Sequence, residues 1–244
     1  GVDAVEPVMA YSAYAGLDNL GHGAGLECAG LVVVGGSENN SVAREVFRRR
    51  YRFSPFEEQE AVPPHMLGGV YVVFGTAPCV AFSKAGYQQG CRDPRGHHYE
   101  TQIKSYVEAQ IPVVVLEQVP ECRRVLEKDI YSVKLGTSPQ ARVVQELEEG
   151  GYHVPLGSDG LPGQLMRASD LGGVVDRERL ITIAVRLDVW EQKAHQFEWP
   201  AQEMESRAVA EILDKTPLEQ YVNLEENKEQ FERVQYPDRR NRPR

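Results

Sequence analysis

The chain reads as an α/β protein, a mostly parallel sheet with helices on both faces. Three observations predict this class. Short apolar runs rich in β-branched residues recur along the chain as far as Val185, segments of helical length fall between them, and polar or Gly-rich stretches follow the runs. Alternation of this kind is the rhythm of βαβ units. With 244 residues, 41% of them hydrophobic, the chain can bury a substantial core as one domain, or as one domain with an extension.

In order, the expected strands are Val8 to Tyr14, Leu31 to Val34, Val70 to Phe74, Val113 to Leu116 and Leu180 to Val185. Each is a short apolar run, and β-branched side chains are stiff at χ1 and suit an extended backbone. The expected helices are Ser41 to Tyr51, His98 to Gln110 and Ala141 to Glu149, on length and spacing. Beyond Glu219 the chain is charged, with a helix expected over Leu224 to Val234 and a basic, Pro-containing tail from Tyr236 to Arg244. Such a tail reads as a docking arm for nucleic acid or an acidic partner.

Open parallel sheets bind ligands beyond the carboxyl ends of their strands. Tyr14 to Gly16, Glu38, Cys79 and Glu117 each stand where an expected strand has just ended. Four segments distant in sequence therefore converge on one rim.

Composition narrows the chemistry. No apolar run approaches the roughly 20 residues needed to span a bilayer, and the N-terminus lacks the basic and apolar regions of a signal peptide. Cys28, Cys79, Cys91 and Cys122 show neither Cys-x-x-Cys spacing nor a His cluster, so neither a zinc site nor a disulfide framework is indicated, and a reducing compartment is expected. The formal charge of −9 runs against nucleic-acid binding by this chain alone, because phosphate neutralisation by Lys and Arg supplies much of such affinity.

The most specific motif runs from Gly75 through Pro78-Cys79, Phe82-Ser83, Gly86 and Gly90 to Asp93-Pro-Arg-Gly96. It sets a thiol after an apolar strand and ahead of a long Gly-rich loop. This block resembles the catalytic loop of the C5-cytosine DNA methyltransferases. Gly25-Leu-Glu-Cys-Ala-Gly30 is similar to the second half of that family's S-adenosylmethionine loop, with Tyr14 standing for the usual Phe and Asp18-Asn19 at the paired glycines. Leu116-Glu-Gln-Val119 resembles the Glu-Asn-Val motif with Gln118 as the departure, and Val175-Asp-Arg-Glu-Arg179 resembles Gln-x-Arg-x-Arg with Val175 in place of Gln.

The resemblance implies a Rossmann-like S-adenosylmethionine-dependent methyltransferase fold, with a catalytic domain over 1–190 and a C-terminal extension over 191–244. It implies that Tyr14, Gly16, Asn19, Glu38 and Pro78 bind S-adenosylmethionine, with Glu38 on the ribose hydroxyls. Cys79 is the implied nucleophile at C6 of a cytosine flipped from the DNA stack. Glu117 is the implied proton donor at N3, and Arg177 and Arg179 support the base or the loop. Ser83, Lys84, Arg92 and Arg95 are candidates for DNA phosphates.

Phe197-Glu-Trp-Pro200 and Ala208 to Pro217 resemble the segment ahead of the family's target-recognition region, but no such region and no closing Gly-Asn motif follow. Two readings stay open. In one, the chain is a DNA (cytosine-5)-methyltransferase domain completed by a second chain or a missing segment. In the other, it is a degenerate methyltransferase fold serving as a structural or binding subunit. An RNA cytosine methyltransferase differs only in substrate, and Phe82-Ser83 with Asp93 to Gly96 look more like the DNA enzymes. The expected location is the nucleus for a eukaryotic source and the cytoplasm for a bacterial or phage one.

Overall fold

The computed structural model describes residues 6–17, 22–194 and 196–201. The expected sites at Asn19, Ala208 to Pro217, Leu224 to Val234 and Tyr236 to Arg244 lie outside them. Strands β1 (Met9–Ala13), β2 (Val32–Gly36), β3 (Val72–Gly75) and β4 (Val113–Gln118) begin and end within two residues of the expected runs. They pair in parallel, β2 with β1, β1 with β3 and β3 with β4. The last long strand, β7 (Glu178–Arg186), joins β4 antiparallel, and β5 (Tyr152–His153) and β6 (Gln164–Arg167) pair with β7. The sheet order is β2-β1-β3-β4-β7-β5.

Helices cover both faces, as the alternation of side chains along each strand requires. Ala10 and Val33 face one core with Leu26 of α1 (His22–Cys28) and Phe47 of α2 (Ser41–Tyr51). Tyr11 and Val73 face a larger core with Ile103 and Tyr106 of α3 (His97–Glu108) and Val143 and Leu147 of α5 (Pro139–Glu149). Tyr11, Phe47, Ile103, Tyr106 and Leu147 have almost no exposed surface, each such burial stabilising the fold by roughly 1.5–3 kcal/mol. A short helix, α4 (Ile130–Leu135), lies between β4 and α5 in sequence.

Local chemistry sets the element ends. Asn40 caps α2 through its side-chain oxygen, which accepts from the Val42 and Ala43 amides at 3.0 Å each. Ser138 caps α5 ahead of Pro139, whose missing N–H costs nothing at that position. Past β5 the chain is held by its aromatics. Trp190 stacks on His153 at 4.0 Å between ring centroids, and the Trp199 indole N–H donates to the Leu156 carbonyl at 2.8 Å. No helix among the described residues is long and apolar enough to cross a membrane.

Candidate active site

Strand register gathers the site. Ala13 lies opposite Gly75 and Gly75 opposite Leu116, so the residues that follow emerge side by side: Tyr14 after β1, Thr76 to Cys79 after β3, and Glu117 near the end of β4. Glu38 follows β2 through Ser37. Because β7 runs antiparallel, its first residues arrive at this same rim. Glu117 lies opposite Ile181, which puts Arg179 and Arg177, two and four residues before it, on the same face as Glu117.

Behind the rim is a cleft of about 330 Å³ lined by Tyr14, Glu38, Gln59, Glu60, Thr76, Pro78 and His98 among others. Tyr14 and Gly16 both take left-handed backbone, φ 53° and 56°, so the chain turns sharply off β1. The turn is locked from the neighbouring strands. The Gly16 amide donates to Glu38 Oε2 at 2.7 Å, the Tyr14 amide to Ser37 Oγ at 3.1 Å, and Thr76 Oγ1 to the Tyr14 carbonyl at 3.0 Å. Glu38 Oε1 also accepts from the Asn40 amide at 2.7 Å, so the carboxylate is fixed at the mouth of the cleft.

Glu60 is the residue that sequence reasoning passed over. Its Oε1 meets the Tyr14 hydroxyl and His98 Nδ1 at 2.5 Å each and Thr101 Oγ1 at 3.5 Å, tying the turn after β1 to the start of α3. Burial acts to raise this carboxyl, but the bonds from Tyr14 and His98 outweigh it and hold the group below its ordinary range. Burial, together with the bond to Glu60, pushes the Tyr14 phenol far up, so it stays a donor.

Cys79 is half-buried against the larger core and unbridged. Its carbonyl accepts from the Phe82 and Ser83 amides at 3.0 Å each, which starts the loop as a tight turn. The loop then folds back on itself: a Cβ at Gly86 would stand 2.1 Å from the Val80 carbonyl oxygen, so only glycine fits. Gln118, the departure from the Glu-Asn-Val motif, is fully buried and donates from Nε2 to the Ala77 carbonyl at 3.1 Å, while its Oε1 accepts from the Val119 amide at 2.9 Å. The end of β4 thus holds the segment that leads into Pro78-Cys79.

Glu117 is held by two guanidinium groups, Arg179 Nε at 2.8 Å and Arg177 Nη2 at 3.5 Å. These neighbours are charged, and the Glu117 side chain is only 19% exposed beside them. All three of these residues therefore form one cluster. Among the loop residues, Lys84 lies 3.4 Å from Glu121, and Arg95 makes two bonds to Asp93 at 2.9 and 2.6 Å. Ser83 is half-buried and Arg92 is exposed. The four do not form a single basic patch, because two of the three cations already face a carboxylate.

Comparison with known proteins places this geometry. The C-5 cytosine-specific DNA methylase family matches residues 10–243. The chain is 25% identical over 190 residues to the type II methyltransferase M.FnuDI of Fusobacterium nucleatum, spanning 78% of this chain and 50% of that protein. It is 30% identical over 216 residues to the type II methyltransferase M.PspPI of a Psychrobacter species, spanning 86% of this chain and 47% of that protein. The chain thus spans about half the length of these relatives. Its fold is similar to that of the Entamoeba histolytica methyltransferase EhMeth (TM-score 0.60, 12% identity, 87% of this chain and 62% of that one). It is also similar to the S. pombe Dnmt2 methyltransferase (TM-score 0.54, 11% identity, 93% and 66%). With the family matched over nearly its whole length and a Rossmann-like methyltransferase sheet beneath it, the chain belongs to the C-5 cytosine-specific DNA methylases.

Proposed function

We propose that this chain is the catalytic part of a DNA (cytosine-5)-methyltransferase that uses S-adenosylmethionine. The observation that carries the reading is the shared rim: the Cys79 loop, the Glu117 cluster and the cleft beside Glu38 arise from adjacent strand ends. The donor set of the cleft fits the cofactor. Fixed carboxylates at Glu38 and Glu60 accept hydroxyl and amine donors, an acidic lining suits a cation, and the backbone turn at Gly16 leaves open space where a Cβ would stand. When bound, S-adenosylmethionine supplies an electrophilic methyl group.

In this reading the Cys79 thiolate adds to C6 of a cytosine taken out of the duplex, which places an electron pair at C5. A proton at N3 makes that addition feasible, and Glu117, oriented by Arg177 and Arg179, governs it. Once C5 carried the methyl group that bound S-adenosylmethionine would supply, loss of the C5 proton would expel the thiolate and restore Cys79. Gln118 keeps the Cys79 segment in place through Ala77. Ser83, Lys84, Arg92 and Arg95 line the loop that would meet the sugar-phosphate backbone, with Lys84 and Arg95 exchanging a carboxylate for a phosphate.

A second reading, a methyltransferase fold kept as a subunit of a larger assembly, is favoured by the net charge of −9 and by those already paired cations. Incubation with S-adenosylmethionine and duplex DNA containing 5-fluorocytosine separates the two. A covalent complex that withstands denaturant, and is lost in Cys79→Ala, is the expected result for the enzyme. Saturable cofactor binding without any adduct, in the presence of the remaining half of a relative's length supplied in trans, would favour the subunit.

A further inference from the structure

We infer that Asp129, far from Cys79 in sequence, is a positioning residue that seats the loop carrying the nucleophile. The inference rests on the reading of Cys79 as that nucleophile, but the geometry stands by itself. Asp129 has no exposed surface. Its Oδ1 accepts from the Tyr131 amide at 3.1 Å, capping α4, and its Oδ2 accepts from Ser132 Oγ at 2.9 Å and Arg142 Nη2 at 3.2 Å. Arg142 in turn bonds Glu100 Oε1 through Nε and Nη2 at 2.9 and 2.6 Å, and the Thr137 carbonyl at 3.3 Å. The carboxylate is thus held by α4 and by Arg142 of α5, which Glu100 of α3 anchors in turn.

The catalytic loop rests on that position. Gly90 is buried, its backbone is left-handed at φ 51°, and a Cβ there would stand 2.3 Å from both Cγ and Oδ2 of Asp129. The Gly90 amide donates to the Ala81 carbonyl at 3.0 Å, which closes the loop two residues beyond Cys79. Asp93 returns its amide to the Gly90 carbonyl at 3.1 Å, so the loop's exit toward α3 is fixed at the same point. Contact therefore runs from the carboxylate to Gly90, from Gly90 to Ala81, and from Ala81 to the thiol-bearing turn. An apolar, smaller side chain such as Ala would leave α4 uncapped, Arg142 short of one partner and the loop without its seat.

The test reads the thiol directly and needs neither cofactor nor DNA, so it is separate from any test of methyl transfer. The full chain is alkylated with iodoacetamide and each cysteine peptide is followed by mass spectrometry. Cys28, exposed, serves as the reference, and Cys122, with no exposed surface, reports whether the fold is intact. Asp129→Ala is expected to change the Cys79 rate several-fold relative to Cys28 with Cys122 still protected. Gly90→Ala should change it as well, and the Gly90→Ala/Asp129→Ala pair should return it toward wild type, because the added methyl enters the space that the carboxylate left. If Asp129→Ala exposes Cys122, Gly90→Ala alone is compared with wild type, and an altered Cys79 rate supports the seat. An unchanged Cys79 rate in a variant that keeps Cys122 protected overturns the inference.

Discussion

At the residue scale, Glu60 has the largest consequence for solution behaviour. Its carboxyl sits below its ordinary value of 4.5 in the folded chain, so the ionised form contributes stability that is complete above that value and is lost as pH falls through the folded value. Glu60→Gln should lower Tm most at neutral pH and converge on wild type as pH falls below about 4.5, flattening the acid limb, as thermal melts from pH 3 to 7 will show. Gly86 gives a second prediction. Since a Cβ there would press on the Val80 carbonyl oxygen at 2.1 Å, Gly86→Ala should cost about 1–3 kcal/mol, read as a shift in the urea midpoint. The motif around Cys79 was legible in the sequence because it is contiguous and every member falls in register. Glu60 was not: Glu57, Glu58 and Glu60 are chemically alike in one short stretch, and only the approach of Tyr14 and His98 singles one out.

At the element scale, the four parallel strands were readable because each carries a short apolar run rich in β-branched residues, even at the edge strand β2, where Val32 and Val34 are exposed. The missed elements lack that signal. β5 has two residues, β6 mixes Gln164 and Arg167 with two apolar positions, and α1 carries Gly23 and Gly25 within seven residues, which weakens helix propensity. That β7 enters antiparallel was likewise not written in its composition; pairing decides it, and with it the delivery of Arg177 and Arg179 to the rim. Two variants probe this junction of strands. Gln118→Ala removes a buried amide and strands the Ala77 carbonyl, so the fold should lose about 1–3 kcal/mol in urea titration. Arg179→Ala leaves Glu117 with Arg177 at 3.5 Å only, and should lower the rate of the trapped 5-fluorocytosine complex more than it weakens cofactor binding.

At the scale of the whole molecule, the chain holds a rim and a cleft but spans about half the length of its curated relatives. Cofactor binding and target binding are thus separable experiments. Calorimetry should find saturable S-adenosylmethionine binding, weakened by Glu38→Ala by about 10- to 100-fold, the loss of roughly 1.5–3 kcal/mol expected for hydrogen bonds to a charged group. The absence of binding to the unaltered chain at high ligand concentration would mean that the cleft needs further protein to close it. DNA affinity should fall steeply with salt if the loop cations reach phosphates, and the slope should shrink by about one for each of Lys84 and Arg95 replaced.

Trp190 on His153 and Trp199 on Leu156 place both indoles of the chain against one short stretch from the end of β5 to Leu156, and none in the cleft beside Glu38. Native emission is therefore a local probe. Ligand entering the cleft should leave the emission maximum nearly still, whereas anything that docks where the chain leaves β7 should shift or quench it. The chain thus carries its own unlabelled reporter for the surface around the end of β7.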